Sequence, residues 1–207
     1  MRRTATNITW LGGLAFVLLL LGSIAGAGCD SRSAEAAGDT QDPAQDAQAR
    51  IERGKYLVNG IGCHDCHTPL KMGANGPEPD MARMLSGHPE QYRISGPAAA
   101  PAGEWANGFV GTPTSTAFSG PWGVSFAANL TPDQNTGLGI WTEDMFIKAL
   151  RTGKHFGVSR PILPPMPWQN FGKLTDDDLK AIWAYLRSVP AISNHVPDPL
   201  PPTSTTH

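Results

Sequence analysis

The chain has 207 residues, a formal net charge of −2 and a charged fraction of 16%, a length that suits one ordinary domain beside a leader. Of the 16 basic residues, Arg2 and Arg3 precede residue 30, whereas all 18 acidic residues lie at or after it, so the remainder carries −4. A mildly acidic body argues against nucleic-acid binding. The 23 glycines and 19 prolines predict long loops and little sheet.

The N-terminal segment, residues 1–29, has the pattern of an export signal. Arg2 and Arg3 form a short basic region, residues 10–21 are apolar, and small residues lead up to Cys29. Three interpretations stay open: a lipoprotein signal in which Cys29 is lipidated, a signal cleaved after residues 25–27, and an uncleaved membrane anchor. In each case we expect the body on the periplasmic side of the bacterial inner membrane, tethered or soluble after cleavage.

Residues 30–48 have the composition of a flexible linker. They are polar, rich in Ala, Asp, Gln and Ser, and contain no aromatic residue. Such a segment buries too little apolar surface to offset the entropy lost on ordering. Residues 49–190 are then the folded domain, and residues 191–207 are expected to be a loose, Pro-rich tail.

The first predicted helix covers residues 51–61 and ends at two glycines. Gly54 and Tyr56 within it suggest a close crossing with another helix.

The motif that follows has Cys63 and Cys66 three positions apart and His67 directly after, the spacing of a c-type haem attachment site. Each thiol can add to one vinyl group of the porphyrin, and the histidine can bind the iron as proximal ligand. The predicted cofactor is one covalent haem c.

Two other chemistries use the same cysteine pair. A redox dithiol usually opens a helix that follows a strand, and no strand pattern precedes Cys63. A zinc site needs a second pair of ligands, but the third cysteine is Cys29 in the leader, and His88, His155 and His195 are irregularly spaced. Haem c is therefore the favoured interpretation.

Residues 68–126 are the least regular part of the body. Three Gly-Pro dipeptides predict turns, and a short helix is expected near residues 83–85. Spaced aromatic residues indicate a long loop that packs on something, and we expect part of it to cover one edge of the haem.

A turn at residues 129–133 precedes a helix that Thr142 caps. Gly153 ends this helix, and its apolar stripe is predicted to consist of Met145, Phe146, Ala149 and Leu150. Trp141, just before the helix, is either a core residue or a hydrogen-bond donor to a haem propionate.

Residues 160–168 should be extended, because four of the nine are prolines. A methionine in such a stiff segment has its sulfur held at a defined place, as a distal haem ligand requires, so Met166 is the first candidate. The weaker candidates for the distal position are Met81, Met84, His155 and an open site.

A final helix, capped by Thr175 and ended by Pro190, carries the apolar stripe Leu179, Ile182, Trp183 and Leu186.

Together these features resemble class I cytochrome c. The stretches 129–133, 136–142 and 163–167 further resemble the cytochrome c domains of bacterial membrane-bound alcohol and gluconate dehydrogenase cytochrome subunits, over about residues 50–190. The resemblance implies an all-α, cytochrome c-like fold, with few helices and long Gly/Pro-rich loops around one covalent haem. It implies attachment at Cys63 and Cys66, with His67 as proximal and Met166 as distal iron ligand. Such subunits typically carry two or three haem motifs, whereas this chain has one, which suggests a single-haem carrier.

With both axial positions filled, such a haem exchanges one electron and has no open site, and the thioether favours a fairly high potential. We therefore expect an electron carrier and not an enzyme. It would shuttle electrons between a dehydrogenase or quinol-oxidising complex and an acceptor such as a terminal oxidase. The alternatives are a haem subunit of a membrane-bound dehydrogenase complex or, if the distal site is open, a haem enzyme or gas sensor.

Overall fold

A computed structural model of the chain describes residues 42–96 and 110–202. The predicted export signal, Cys29 and residues 30–41 of the predicted linker lie outside the described residues. Within the described ranges, no helix is both long and apolar enough to cross a membrane.

Five helices and five strands alternate unevenly along the described ranges. The helices are α1 (Pro43–Gly60), α2 (Cys63–His67), α3 (Glu143–Thr152), α4 (Trp168–Phe171) and α5 (Asp176–Ser188). The strands are β1 (Leu70–Gly73), β2 (Gly76–Pro79), β3 (Val110–Gly111), β4 (Ala117–Gly120) and β5 (Gly123–Phe126). Two short 3-10 helices cover Met81–Arg83, close to the short helix predicted there, and His155–Gly157.

The prediction of an all-α fold is wrong. Strands β1 and β2 form an antiparallel hairpin, and β3, β4 and β5 form a three-stranded antiparallel sheet in that order. The glycines that suggested loops make the hairpin turns, because Gly76 (φ 117°) and Gly123 (φ 94°) have the positive φ that other residues avoid. Pairing of short extended segments across these turns satisfies backbone groups that a loop would leave to water.

Helix α1 begins eight residues before the predicted start at residue 51. Pro43 occupies its first turn, and the Asp42 side chain accepts a hydrogen bond from the Ala44 amide at 3.0 Å. The helix therefore takes in residues 43–48, which were predicted to belong to the flexible linker. The Ala and Gln residues of this stretch favour helix once such a cap is in place.

The hydrophobic core lies where α1 crosses α5. Leu57 and Val58 of α1 are buried against α5, and the predicted α5 stripe is confirmed, because all four of its members are buried, namely Leu179, Ile182, Trp183 and Leu186. Gly54 lies at the crossing, as predicted. Tyr56 does not, because it is 68% exposed with Arg53 over its ring.

Helix α3 also packs on this core. Its predicted cap is confirmed, since the Thr142 hydroxyl accepts from the Met145 amide at 3.2 Å, and Gly153 ends it in a left-handed conformation. Phe146, Ala149 and Leu150 are buried. Met145 is 38% exposed, so its predicted place in the buried stripe is wrong.

The chain after α5 is not the loose tail that its prolines suggested. The Asn194 side chain is fully buried, and it donates to the carbonyls of Ser86 and His88 at 2.7 and 2.9 Å. Farther on, Leu200 exchanges two backbone hydrogen bonds with Val124 of β5. Residues 191–202 are therefore held against the body in an extended form.

Candidate haem site

Helix α2 holds the motif in a single short turn. Gly62 precedes it with a φ of 79°, which lets the chain turn sharply out of α1. Because residues three and four apart share a helix face, Cys63, Cys66 and His67 lie on one side of α2. Helix α2 therefore presents two thiols and one imidazole together.

The His67 ring is buried, with 8% of the residue exposed, and its tautomer is fixed. Nδ1 lies 2.7 Å from the Ala128 carbonyl oxygen, and since a carbonyl only accepts, Nδ1 carries the proton. Burial lowers the pKa of His67, which favours the neutral ring. Nε2 makes no hydrogen bond to any described residue, which leaves its lone pair available to a metal.

The Ala128 carbonyl is positioned by the sheet. Ala127 follows β5, its amide donates to the Thr116 carbonyl at 2.8 Å, and its carbonyl accepts from the His88 amide at 2.9 Å. On the other side, the Gly87 amide donates to the His67 carbonyl at 2.8 Å. The segment around Gly87 and the end of β5 therefore fix both the backbone and the ring of His67.

The two cysteines are free thiols of low acidity. Burial raises the pKa of Cys63 to about 12, and burial together with the nearby Asp65 carboxylate raises the pKa of Cys66. Catalytic dithiols need a lowered pKa, since the thiolate is the reactive form. This environment therefore argues against the redox-dithiol interpretation, whereas thioether formation adds a whole S–H group across a vinyl double bond.

The surroundings of these residues fit a large apolar cofactor. Cys63, Trp141 and Met166 all pack against the hydrophobic core, yet each stays partly exposed. A flat apolar macrocycle bound to the cysteines would bury more of such surface. The lone pair of His67 Nε2 is free and would supply an iron ligand, so the donor set fits haem c.

The structure separates the methionine candidates. Met81 is 59% exposed, which argues against it as a distal ligand. Met72 lies only five residues after His67 in the sequence and is 77% exposed, which argues against it as well. Met84 and Met166 are the two that pack partly buried against the core.

Trp141 lies in an aromatic cluster. Its ring stacks on Phe156 with centroids 4.5 Å apart and meets the ring of His155 edge-on at 5.0 Å. Within the described part of the chain, its indole N–H donates no hydrogen bond, so the predicted role as a propionate donor stays a prediction. His155, the histidine alternative for the distal ligand, is held in the same cluster.

Sequence reasoning assigned only a turn to residues 129–133, whereas the structure shows a buried network there. The Asn129 carboxamide oxygen accepts from the Thr131 amide and hydroxyl at 3.0 and 2.7 Å, and its nitrogen donates to the Ile192 carbonyl at 2.8 Å. The Asn-x-Thr pattern is a signal for such a side-chain turn. Its partner in the tail is not visible from local sequence.

Comparison with known proteins finds relatives of this chain. No protein-family model matches the chain. The chain is 30% identical over 160 residues, 75% of its length, to the cytochrome c subunit of the quinone-dependent alcohol dehydrogenase of Gluconobacter oxydans. It is 28% identical over 144 residues, 70% of its length, to the fructose dehydrogenase cytochrome subunit of Gluconobacter japonicus.

The chain is related to the cytochrome c subunits of dehydrogenases. This confirms the resemblance inferred from the motifs. A diheme c-type cytochrome of Cereibacter sphaeroides is also related, at 30% identity over 68% of the chain. The chain spans 25% of the length of the alcohol dehydrogenase subunit, 22% of the fructose dehydrogenase subunit and 36% of the diheme protein.

Proposed function

We propose that this protein is a single-haem electron carrier in which Cys63 and Cys66 hold haem c, His67 is the proximal ligand and Met166 is the distal ligand. The observation that carries the proposal is the buried His67 ring directly after the cysteine pair, with Nδ1 engaged by Ala128 and Nε2 free. The kinship with cytochrome c subunits supports the same cofactor. One haem motif in the sequence supports one haem.

Bound haem c supplies reversible one-electron exchange between ferrous and ferric iron. The residues of the chain set the conditions for that exchange. The bond from His67 Nδ1 to the Ala128 carbonyl holds the ring in one orientation and increases the basicity of Nε2. The Met166 thioether favours the reduced state, and the apolar core around it disfavours the extra charge of the oxidised state. Both effects raise the reduction potential.

The proposed setting is the periplasmic face of the bacterial inner membrane, reached through the export signal in residues 1–29. Either lipidation of Cys29 or an uncleaved apolar segment would tether the body there. The proposed partner is a dehydrogenase, because related chains are cytochrome subunits of alcohol, fructose and gluconate dehydrogenases. Carriers of this kind dock through small, transient interfaces.

The test is the absorption spectrum of the full chain, expressed with a haem c maturation system and purified from the cell envelope. A sharp, split reduced spectrum, a weak far-red sulfur-to-ferric-iron band and no response to carbon monoxide are expected for His/Met ligation. The pyridine haemochrome absorbance per polypeptide should give one haem.

Three results would contradict the proposal. A high-spin spectrum that shifts with carbon monoxide would indicate an open distal site and favour a haem enzyme or gas sensor. More than one haem per chain would exclude the single-haem carrier. A protein that matures without haem would exclude the cofactor itself.

A further inference from the structure

The segment that carries Met166, residues 160–168, has few backbone hydrogen bonds of its own. Its first part is tied to the C-terminal end of α3, since the Ile162 amide donates to the carbonyl of Gly153, the residue that ends α3, at 2.8 Å. Pro164 and Pro165 have no amide proton to donate. The position of residues 163–166 must therefore be fixed by groups that donate to their carbonyls or by packing.

Ser125 provides one such donor. Its hydroxyl donates to the Pro164 carbonyl at 2.5 Å, two residues before Met166. Within the described part of the chain, this is the one hydrogen bond made to residues 163–166. The Phe118 carbonyl also lies near the hydroxyl, but at 3.4 Å it is the weaker acceptor.

The hydroxyl is itself firmly held. Ser125 is 7% exposed on β5, opposite Phe118 of β4, and its oxygen accepts from the Trp122 indole at 3.3 Å. The neighbouring Val124 is bonded through both its amide and its carbonyl to Leu200. β5 is therefore fixed on both edges, which gives Ser125 a rigid base.

We propose that Ser125 is a positioning residue for Met166, through which the β3–β4–β5 sheet keeps the thioether in one place. This inference rests on the proposed role of Met166 as distal iron ligand. Without the hydroxyl, residues 163–166 gain freedom, and Met166 is displaced from the iron more easily by a competing ligand.

The experiment compares Ser125→Ala with the unaltered chain, both loaded with haem, using added imidazole as the competitor for ferric iron. One hydrogen bond of this kind corresponds to about a tenfold change in an equilibrium. We therefore expect Ser125→Ala to bind imidazole about tenfold more tightly and to lose part of its far-red band at neutral pH. Ser125→Thr keeps the hydroxyl, so its imidazole affinity and its far-red band should be close to those of the unaltered chain.

Thr112→Ala separates positioning from general loosening of the sheet. The Thr112 hydroxyl accepts from the Ala117 amide at 3.2 Å in the connection between β3 and β4, and within the described part of the chain it makes no hydrogen bond to residues 163–166. This variant should unfold more easily yet bind imidazole as the unaltered chain does. Where Ser125→Ala fails to accumulate, Ser125→Cys replaces the hydroxyl with a weaker donor, and a smaller increase in imidazole affinity in the same direction is expected.

An unchanged imidazole affinity and far-red band in Ser125→Ala would overturn the inference, as would an equal rise in imidazole affinity in Thr112→Ala. Failure of the proposed function gives a different result, because the unaltered chain would itself lack the far-red band or bind carbon monoxide. The two failures are therefore distinguishable in one series of spectra.

Discussion

At the scale of single residues, the proposed distal ligand is the side chain whose loss is simplest to detect. Met166→Ala should remove the far-red band, allow carbon monoxide to bind the ferrous form, and lower the reduction potential. The potential should fall by a sizeable part of the ~0.8 V range over which axial ligands tune haem proteins. Absorption spectra and redox titration of the loaded variant measure both effects.

Two other methionines provide controls for that variant. Met81 is 59% exposed, so Met81→Ala should keep the spectrum and the potential. Met84 packs against the core as Met166 does, so Met84→Ala tests the remaining alternative. If Met84→Ala lost the far-red band while Met166→Ala kept it, the ligand assignment would move to Met84.

His88 should make the stability of the protein depend on pH. The residue is 1% exposed; Nε2 donates to the Tyr92 carbonyl at 2.7 Å, and Nδ1 accepts from the Thr116 hydroxyl at 2.9 Å. Burial, together with the positive charge of Arg83, lowers the pKa of His88. The unfolded chain, with a histidine pKa of about 6.5, therefore takes up this proton at a higher pH than the folded chain.

The free energy of unfolding should consequently fall as the pH drops below about 6.5, by at most about 1.4 kcal/mol per pH unit from this group. Above about pH 6.5, the neutral His88 makes its full contribution to the free energy of unfolding. Denaturant unfolding of His88→Gln across the same range should show a shallower decline. His195→Gln, at an exposed position, should keep the slope of the unaltered chain, and an equal slope in His88→Gln would refute the assignment.

At the scale of elements, the crossing of α1 and α5 depends on Gly54. A Cβ atom there would lie 1.9 Å from the Ala181 carbonyl oxygen and 2.8 Å from the Tyr185 Cβ. The helices would have to separate, and overpacking of this kind costs ~1–3 kcal/mol or more. Gly54→Ala should therefore lower the free energy of unfolding, measured by denaturant titration, although alanine is intrinsically the better helix former.

Gly60→Ala is the matched control for this substitution. Gly60 lies in the same helix, and nothing is within 4 Å of a Cβ atom built on it. Only the intrinsic helix preference then changes. The free energy of unfolding of Gly60→Ala should therefore exceed that of the unaltered chain by no more than about 0.5–1 kcal/mol. Equal destabilisation by both alanines would show that the crossing is not the cause.

Helices α3 and α5 were predictable from sequence because their signals are local. Thr142 and Thr175 each cap a helix within three residues, and the α5 stripe repeats at helical spacing. The strands were missed because each has two to four residues, too few for an alternating pattern, and is rich in Gly or Pro. Their pairing depends on glycines in the turns and on hydrogen-bond partners in the neighbouring strand, which the sequence of one strand does not show.

The candidate site was likewise only partly predictable from the sequence. The residue types and spacing of Cys63, Cys66 and His67 identify it, whereas the group that orients His67 is the backbone carbonyl of Ala128, 61 positions away. A backbone carbonyl leaves no signature in the sequence. Ser125 was missed for a related reason, because a serine in a short strand resembles any other until its acceptor, Pro164, is seen.

At the scale of the whole molecule, the segment after α5 joins parts of the chain that are far apart in sequence. The Asn194 nitrogen donates to the carbonyls of Ser86 and His88, and its oxygen accepts from the Glu90 amide at 3.0 Å and the Arg83 guanidinium at 3.2 Å. These partners precede Asn194 by more than 100 residues. They also flank Gly87, whose amide donates to the backbone of His67.

Asn194→Ala should therefore destabilise the entire domain and not only its C-terminal segment. Truncation leaves several buried backbone groups without partners, each costing about 1–3 kcal/mol, and we expect a net loss of roughly 2–4 kcal/mol. Ser193→Ala, at the exposed neighbouring position, should change stability by less than about 0.5 kcal/mol. Far-UV circular dichroism and haem absorption should report one coincident, earlier transition in Asn194→Ala. An unchanged midpoint, or two separate transitions, would mean that the segment is attached to the domain without stabilising it.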